Sequence, residues 1–143
     1  MEKPNLQQLA DQTINEGGNF SSFDLDNYFA DLETPDANLT MSASVPPPTP
    51  LTVTISTSHI ATINITDPNW NGSATITFTA SDGTASVSDG AVFTVTAVND
   101  PPTVSTPIPD QSIQEGQSFT TIPLNDHFGD VETPDANLTM SAS

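Results

Sequence analysis

The stretch SATITFTAS, Ser73 to Ser81, alternates without a break: Ala74, Ile76, Phe78 and Ala80 fall on one face and hydroxyl residues on the other. A period of two is that of a strand with one buried face, and the β-branched Thr and Ile residues suit a pleated surface. Downstream, Asp82-Gly83 reads as a turn, and Ala91 to Val98 (AVFTVTAV) alternates again with Phe93, Val95 and Ala97 inward. Asp89-Gly90 reads as a second turn signal before that strand. Upstream, Leu51-Val53-Ile55 and Ala61-Ile63-Ile65 repeat the pattern, and shorter strands are expected at Leu39 to Ser44 and near Ile14 and Phe20. Pro46-Pro47-Pro48 reads as an extended connection. No stretch has a helical period. About seven short strands in ~95 residues predict an all-β, immunoglobulin-like sandwich.

The chain repeats itself. ETPDANLTMSAS occurs at Glu33 to Ser44 and again at Glu132 to Ser143, so Met41 and Met140 stand 99 residues apart. DQTINEGGNF from Asp11 matches DQSIQEGQSF from Asp110 at the same offset, as do Leu25 and Leu124, Phe29 and Phe128, and Asp31 and Asp130. A period this long is that of a whole module, not of a solenoid coil. The expected organisation is one complete repeat at 5–100 and the N-terminal part of a second at 101–143. Asn99-Asp100-Pro101-Pro102 is the boundary, because successive prolines enforce an extended linker. Residues 45–99 form one complement for two near-identical partners, 6–44 and 105–143. The leading copy is expected to hold it, with domain exchange as the competing arrangement.

Charge narrows the function classes. One Lys, Lys3, stands against 18 Asp and Glu in 143 residues, a formal charge of −17. Nucleic-acid binding needs cations to replace phosphate counterions, and none are present in number. Anionic membrane surfaces are disfavoured for the same reason, and no apolar run approaches the ~20 residues needed for insertion. Two carboxylates ~4 Å apart repel by roughly 4 kcal/mol at a surface-like dielectric, so acids gathered by folding need a cation from solution. The chain has no cysteine, and Met1 to Ala10 lacks the apolar core of a signal peptide.

The block ITDPNWNGSATITFTASDGTASVSDGAVFTVTAVNDPP, Ile65 to Pro102, resembles the C-terminal half of bacterial cadherin-like repeats, including the dystroglycan-type modules of large surface adhesins. The resemblance covers the chain from about Asn5 and implies a Greek-key β-sandwich of the immunoglobulin/cadherin kind. It also implies Ca2+ at the connections between neighbouring repeats, and an extracellular or cell-surface location. Residue by residue, Glu16 resembles the family's early Glu, and Asp67 with Asn69 its acidic loop. Asn99 and Asp100 resemble the linker pair. Asp130 and Glu132 resemble the acidic pair of the following repeat, with Asn137 a carbonyl ligand nearby. Asp82, with Asp31 and Glu33, resembles the set that faces the preceding linker. Such hard oxygen donors suit Ca2+, which takes six to eight of them. Ala97, Pro101 and Asn69 depart from the family pattern, which implies fewer ions per joint than in animal cadherins.

The functional expectation is therefore a calcium-binding structural or adhesive repeat, not an enzyme. No GxSxG, HExxH or phosphate-cradling Gly-rich loop is present, and His59 and His127 sit in no nucleophile pattern. Partners are expected to be neighbouring repeats and a homophilic protein or polysaccharide ligand. The alternative is a carbohydrate-binding module of an extracellular polysaccharide-active protein. Trp70 would be its stacking platform, although a Trp in that loop is expected to close the core instead.

Overall fold

The computed structural model describes residues 5–143; Lys3 lies outside them. The chain divides into two compact units, Met1–Val98 and Asn99–Ser143.

The first unit is all-β, with β1 (Asn5–Leu6), β2 (Gln12–Asn15), β3 (Phe23–Asp24), β4 (Phe29–Ala30), β5 (Thr40–Ser44), β6 (Leu51–Ile55), β7 (Ile60–Ile65), β8 (Gly72–Ser81) and β9 (Ser86–Thr96). One sheet has the order β2-β9-β8-β5 and a second the order β3-β7-β6, while β1 pairs with β4 alone. Neighbours are antiparallel except β2 and β9, which run parallel with Gln12 opposite Phe93. The leading copy of the repeat thus holds the 45–98 complement, as expected. Both sheets supply one core: Leu51, Ala61 and Ile63 from one, Ala74, Ile76, Phe78, Ala80, Ala91, Phe93 and Val95 from the other. Phe23 meets Phe78 edge-on with ring centroids 5.4 Å apart, and Phe20 meets Phe93 likewise at 5.1 Å. All four residues of the alternating face of SATITFTAS are buried.

Three local expectations need correction. Asp89-Gly90 is not a turn but lies inside β9, opposite Phe78 and Thr77. The Asp89 carboxylate accepts from the Leu9 N–H at 2.8 Å. A Cβ at position 90 would stand 3.0 Å from Thr75 Cγ2, so the missing side chain serves close strand approach and not chain reversal. The hairpin reverses at Asp82–Ala85 instead, where Asp82 Oδ1 accepts from the N–H of Thr84 and of Ala85. The proline run is a turn, not an extended segment: the Thr49 N–H and Oγ1 both donate to the Pro46 carbonyl, across a cis Pro47-Pro48 bond. The strand expected near Phe20 forms at Phe23–Asp24, leaving Phe20 to pack from a loop.

The second unit has β10 (Thr103–Val104) paired antiparallel with β11 (Phe128–Gly129), and 3-10 turns at Leu124–Asp126 and Asp135–Asn137. Among the described residues, no helix is long and apolar enough to cross a membrane.

Candidate cation-binding residues

The predicted acidic ligands of the first unit segregate to its two ends. β8 carries ten residues, which at the rise of a strand is roughly 30 Å. Gly72 begins it opposite Val95, and Ser81 ends it opposite both Ser86 and Thr40.

At the Gly72 end stand Glu16, Asp67 and Asn69. The Glu16 N–H donates to the Thr96 carbonyl at 2.9 Å, so β2 and β9 finish side by side. Glu16 Oε2 accepts from the Val98 N–H at 3.1 Å, clipping the chain as it leaves β9. Its Oε1 is buried and has no hydrogen-bond partner among the described residues. Asp67 folds its loop by accepting from the Asn69 N–H at 3.0 Å, while the Asp67 carbonyl accepts from the Trp70 N–H at 3.1 Å. Gly17 to Asn19 and Pro68 line one cleft of about 140 Å³ with Trp70. Trp70 is half-buried, packs on the core, and lies so close over Gly72 that a Cβ there would meet its Cζ2 at 3.1 Å.

At the opposite end stand Asp31, Glu33 and Asp82. Asp31 Oδ1 accepts from the Glu33 N–H at 2.9 Å and the Thr34 N–H at 2.7 Å. Asp31 Oδ2 and Asp82 Oδ2 are both buried without a partner among the described residues. The Ala85 and Thr84 N–H groups hold the Asp82 carboxyl below its ordinary value of 3.8, against the opposing effect of burial. Asp31 and Asp82 therefore each spend one oxygen on their own turn and keep the other without a partner among the described residues. A buried polar oxygen without a partner is unfavourable, and a hard cation is one way to satisfy it.

In the second unit, Asp130 repeats the Asp31 turn, accepting from the Glu132 N–H at 3.0 Å and the Thr133 N–H at 2.7 Å. Those backbone donors, Thr133 first, hold its carboxyl below 3.8. The Asp100 N–H donates to Glu132 Oε2 at 3.1 Å. A carboxylate oxygen of Asp100 lies within 4.8 Å of one from Glu132, close enough for a single cation to touch both. Asn99 turns its amide onto the Asp100 carbonyl at 2.8 Å. Asn137 ends a 3-10 turn, its N–H on the Pro134 carbonyl.

Other acids are structural, and sequence reasoning missed their roles. Asp11 Oδ1 accepts from the Val92 N–H at 2.8 Å. Asp26 Oδ1 meets His59 Nδ1 at 2.7 Å, holding a buried His whose φ is +56°. The DQ pair that recurs at Asp110 was a signal for Asp11; nothing local marked Asp26.

No family model matches the chain, and no curated protein matches it. Among solved structures it is similar to an endo-fucoidan hydrolase of glycoside hydrolase family 107, at 25% identity and a TM-score of 0.50. The match covers 73% of this chain and 16% of the hydrolase. A point variant of that enzyme matches at 25% identity and a TM-score of 0.49, over the same shares. The chain thus spans about a sixth of the length of the proteins it resembles.

Proposed function

We propose that residues 5–100 are a cadherin-like, immunoglobulin-type Greek-key repeat of an extracellular bacterial surface protein. In this reading Ca2+ taken up by the acidic residues at its ends stiffens the connections to neighbouring repeats. The strand order supports the fold assignment. With β2 as a leading half-strand and β3, β5, β6, β7, β8 and β9 as B to G, the sheets are C-F-G with the half-strand added, and B-E-D, as in immunoglobulin-like sandwiches. The carrying observation for Ca2+ is the polar distribution of the acids. Glu16 Oε1 at one end of the unit, and Asp31 Oδ2 and Asp82 Oδ2 at the other, are buried carboxylate oxygens without a hydrogen-bond partner among the described residues. All the donors are hard oxygens, which fits Ca2+ and not a thiolate- or imidazole-seeking metal. When bound, Ca2+ would supply the positive charge that the chain lacks. Glu16, Asp67 and Asn69 at one end of the first unit, Asp31, Glu33 and Asp82 at its other end, and Asn99, Asp100, Asp130 and Glu132 in the second unit would hold it. The module is non-catalytic in this reading.

Thermal unfolding in EDTA and over a Ca2+ titration tests the proposal. At 100 times the dissociation constant, binding adds about 2.7 kcal/mol, a rise of several degrees for a domain of this size. The rise should saturate, exceed that with equal Mg2+, and shrink in Asp100→Ala. Equal shifts with both ions, or none, would reduce the acids to surface charge.

A second reading, a carbohydrate-binding module, is favoured by the hydrolase of fucoidan in which a similar domain is found and by the half-buried Trp70 at its cleft. Binding to a sulfate-free polysaccharide series, lost in Trp70→Ala and indifferent to EDTA, would favour it over the calcium reading.

A further inference from the structure

Asn71 alone among the asparagines of the chain precedes a glycine. It lies between Trp70 and Gly72, the first residue of β8, and it is exposed. The loop before it explains the exposure. Asp67 turns the chain by accepting from the Asn69 N–H, its carbonyl takes the Trp70 N–H, and Trp70 then packs on the core, which leaves Asn71 in solvent. The Asn71 side-chain amide makes no hydrogen bond among the described residues. Gly72 has a φ of +143°, which residues with a Cβ rarely adopt, and it places no side chain beside its own backbone nitrogen. Related sites are restrained. The Asn99 amide donates to the Asp100 carbonyl at 2.8 Å, and a bulkier residue follows it. Asp82-Gly83 and Asp89-Gly90 carry carboxylates in place of an amide. Asp82 Oδ1 is held by the Thr84 and Ala85 N–H groups, and Asp89 Oδ2 by the Leu9 N–H.

We propose that Asn71 is a self-modification site, at which the folded chain converts its own asparagine into aspartate and isoaspartate. The Gly72 backbone nitrogen attacks the Asn71 side-chain carbonyl carbon. The new N–C bond closes a five-membered succinimide, the Cγ–Nδ2 bond breaks, and ammonia leaves with the proton that the Gly72 nitrogen gives up. Water then adds to either ring carbonyl. Opening at one side gives aspartate; opening at the other passes the main chain through the side-chain carbon and gives isoaspartate. Water is the only co-reactant. Nucleophile and electrophile are adjacent in the chain, so proximity takes the place of an external catalyst. Both products add a carboxylate to the loop that already carries Asp67. Isoaspartate also lengthens the main chain by a methylene immediately before Gly72, over which the Trp70 ring stands so close that a Cβ would meet Cζ2 at 3.1 Å. The seat of Trp70, and with it the cleft that Trp70 lines with Pro68 and Val95, therefore shifts as the site converts. This inference rests on neither the calcium nor the carbohydrate reading.

The test incubates the full chain in EDTA at neutral and at alkaline pH, with a parallel sample unfolded in urea. Peptide mapping by mass spectrometry then follows every asparagine, with fragmentation separating aspartate from isoaspartate. In the folded chain Asn71 should lose its amide at least about tenfold faster than Asn99, a barrier lower by about 1.4 kcal/mol, and faster at alkaline pH, where the attacking nitrogen gives up its proton more readily. The chain has a single Trp, so fluorescence reads the consequence directly: emission should move to longer wavelength in step with isoaspartate, as Trp70 becomes wetter. Asn71→Gln, at an exposed position, requires a six-membered ring and should stop both the conversion and the spectral change without moving the melt of the first unit. Three results would overturn the proposal: an Asn71 that stays an amide in the folded chain while it converts in urea; loss of amide at Asn99 as fast as at Asn71; or isoaspartate that accumulates with no change in Trp70 emission.

Discussion

Asp31, Asp82 and Asp130 show how one residue type does two jobs. Each accepts from two successive backbone N–H groups with a single oxygen, at 2.6 to 2.9 Å or 3.0 Å. For Asp82 and Asp130 these donors favour the ionised form and lower the carboxyl below 3.8. The sign of the pH dependence follows. A carboxyl depressed by folding contributes stability that is complete above its unfolded value and is lost as pH falls through the folded one. Carboxyl-carbon NMR titration in EDTA should therefore place both midpoints below 3.8, with the Thr84, Ala85 and Thr133 amide signals moving over the same range. A midpoint at or above 3.8 for either residue would show that its turn does not depend on the charge. The sequence marks these aspartates because they recur or sit before Gly. It is silent on which oxygen is used, since that depends on the backbone path of the turn.

Among the elements, β8 and β9 were the most legible, because their inward faces alternate; those of β8, and of β9 as far as Val95, are buried as read, whereas β9 ends at Thr96 and Ala97, expected inward, is exposed. The error at Asp89-Gly90 has a definite cause. A turn dipeptide and a close-approach glycine look alike in sequence, and only the neighbouring Thr75 and the Leu9 N–H distinguish them. Short strands were read less well because they are made by their neighbours: β3 is two residues long and exists through its pairing with β7. Phe20 and Phe119 occupy the same repeat position, and no local pattern could tell the buried one from the exposed one. Thr79 tests the central element. It lies in β8 opposite Ser42 on one side and Ser88 on the other, so its N–H meets a ladder whichever way it points. Thr79→Pro removes that donor in the middle of a sheet, where proline is tolerated essentially only at edges and bulges, and should leave no cooperative transition in circular dichroism. A variant that still melts cooperatively within a few degrees of the parent would mean that the β5–β8–β9 ladder is not the framework of the unit.

At the scale of the whole molecule, the core is drawn wholly from residues 9–95. The two-unit organisation was legible because a 99-residue repeat is visible without any structural knowledge. That the second copy would keep its 3-10 turns and the strand at Phe128–Gly129 but form no counterparts of β2, β3 and β5 was not, since turns are closed by their own residues and those strands by distant ones. It follows that removing residues 105–143 should leave the first unit intact in EDTA. The urea midpoint of residues 1–104 should correspond to the parent's stability within about 0.5 kcal/mol, the usual range for changes away from a core. In saturating Ca2+ the same truncation removes Asp130 and Glu132, so the stabilisation expected of the parent should shrink. The residual shift should be that of the donors kept in residues 1–104, and combining Asp82→Ala with Asp100→Ala should erase it. A truncated chain that loses stability in EDTA would show that residues 105–143 support the first core directly. One that keeps the full Ca2+ increment would remove Asp130 and Glu132 from the cation-binding set and leave the first unit as the whole calcium module.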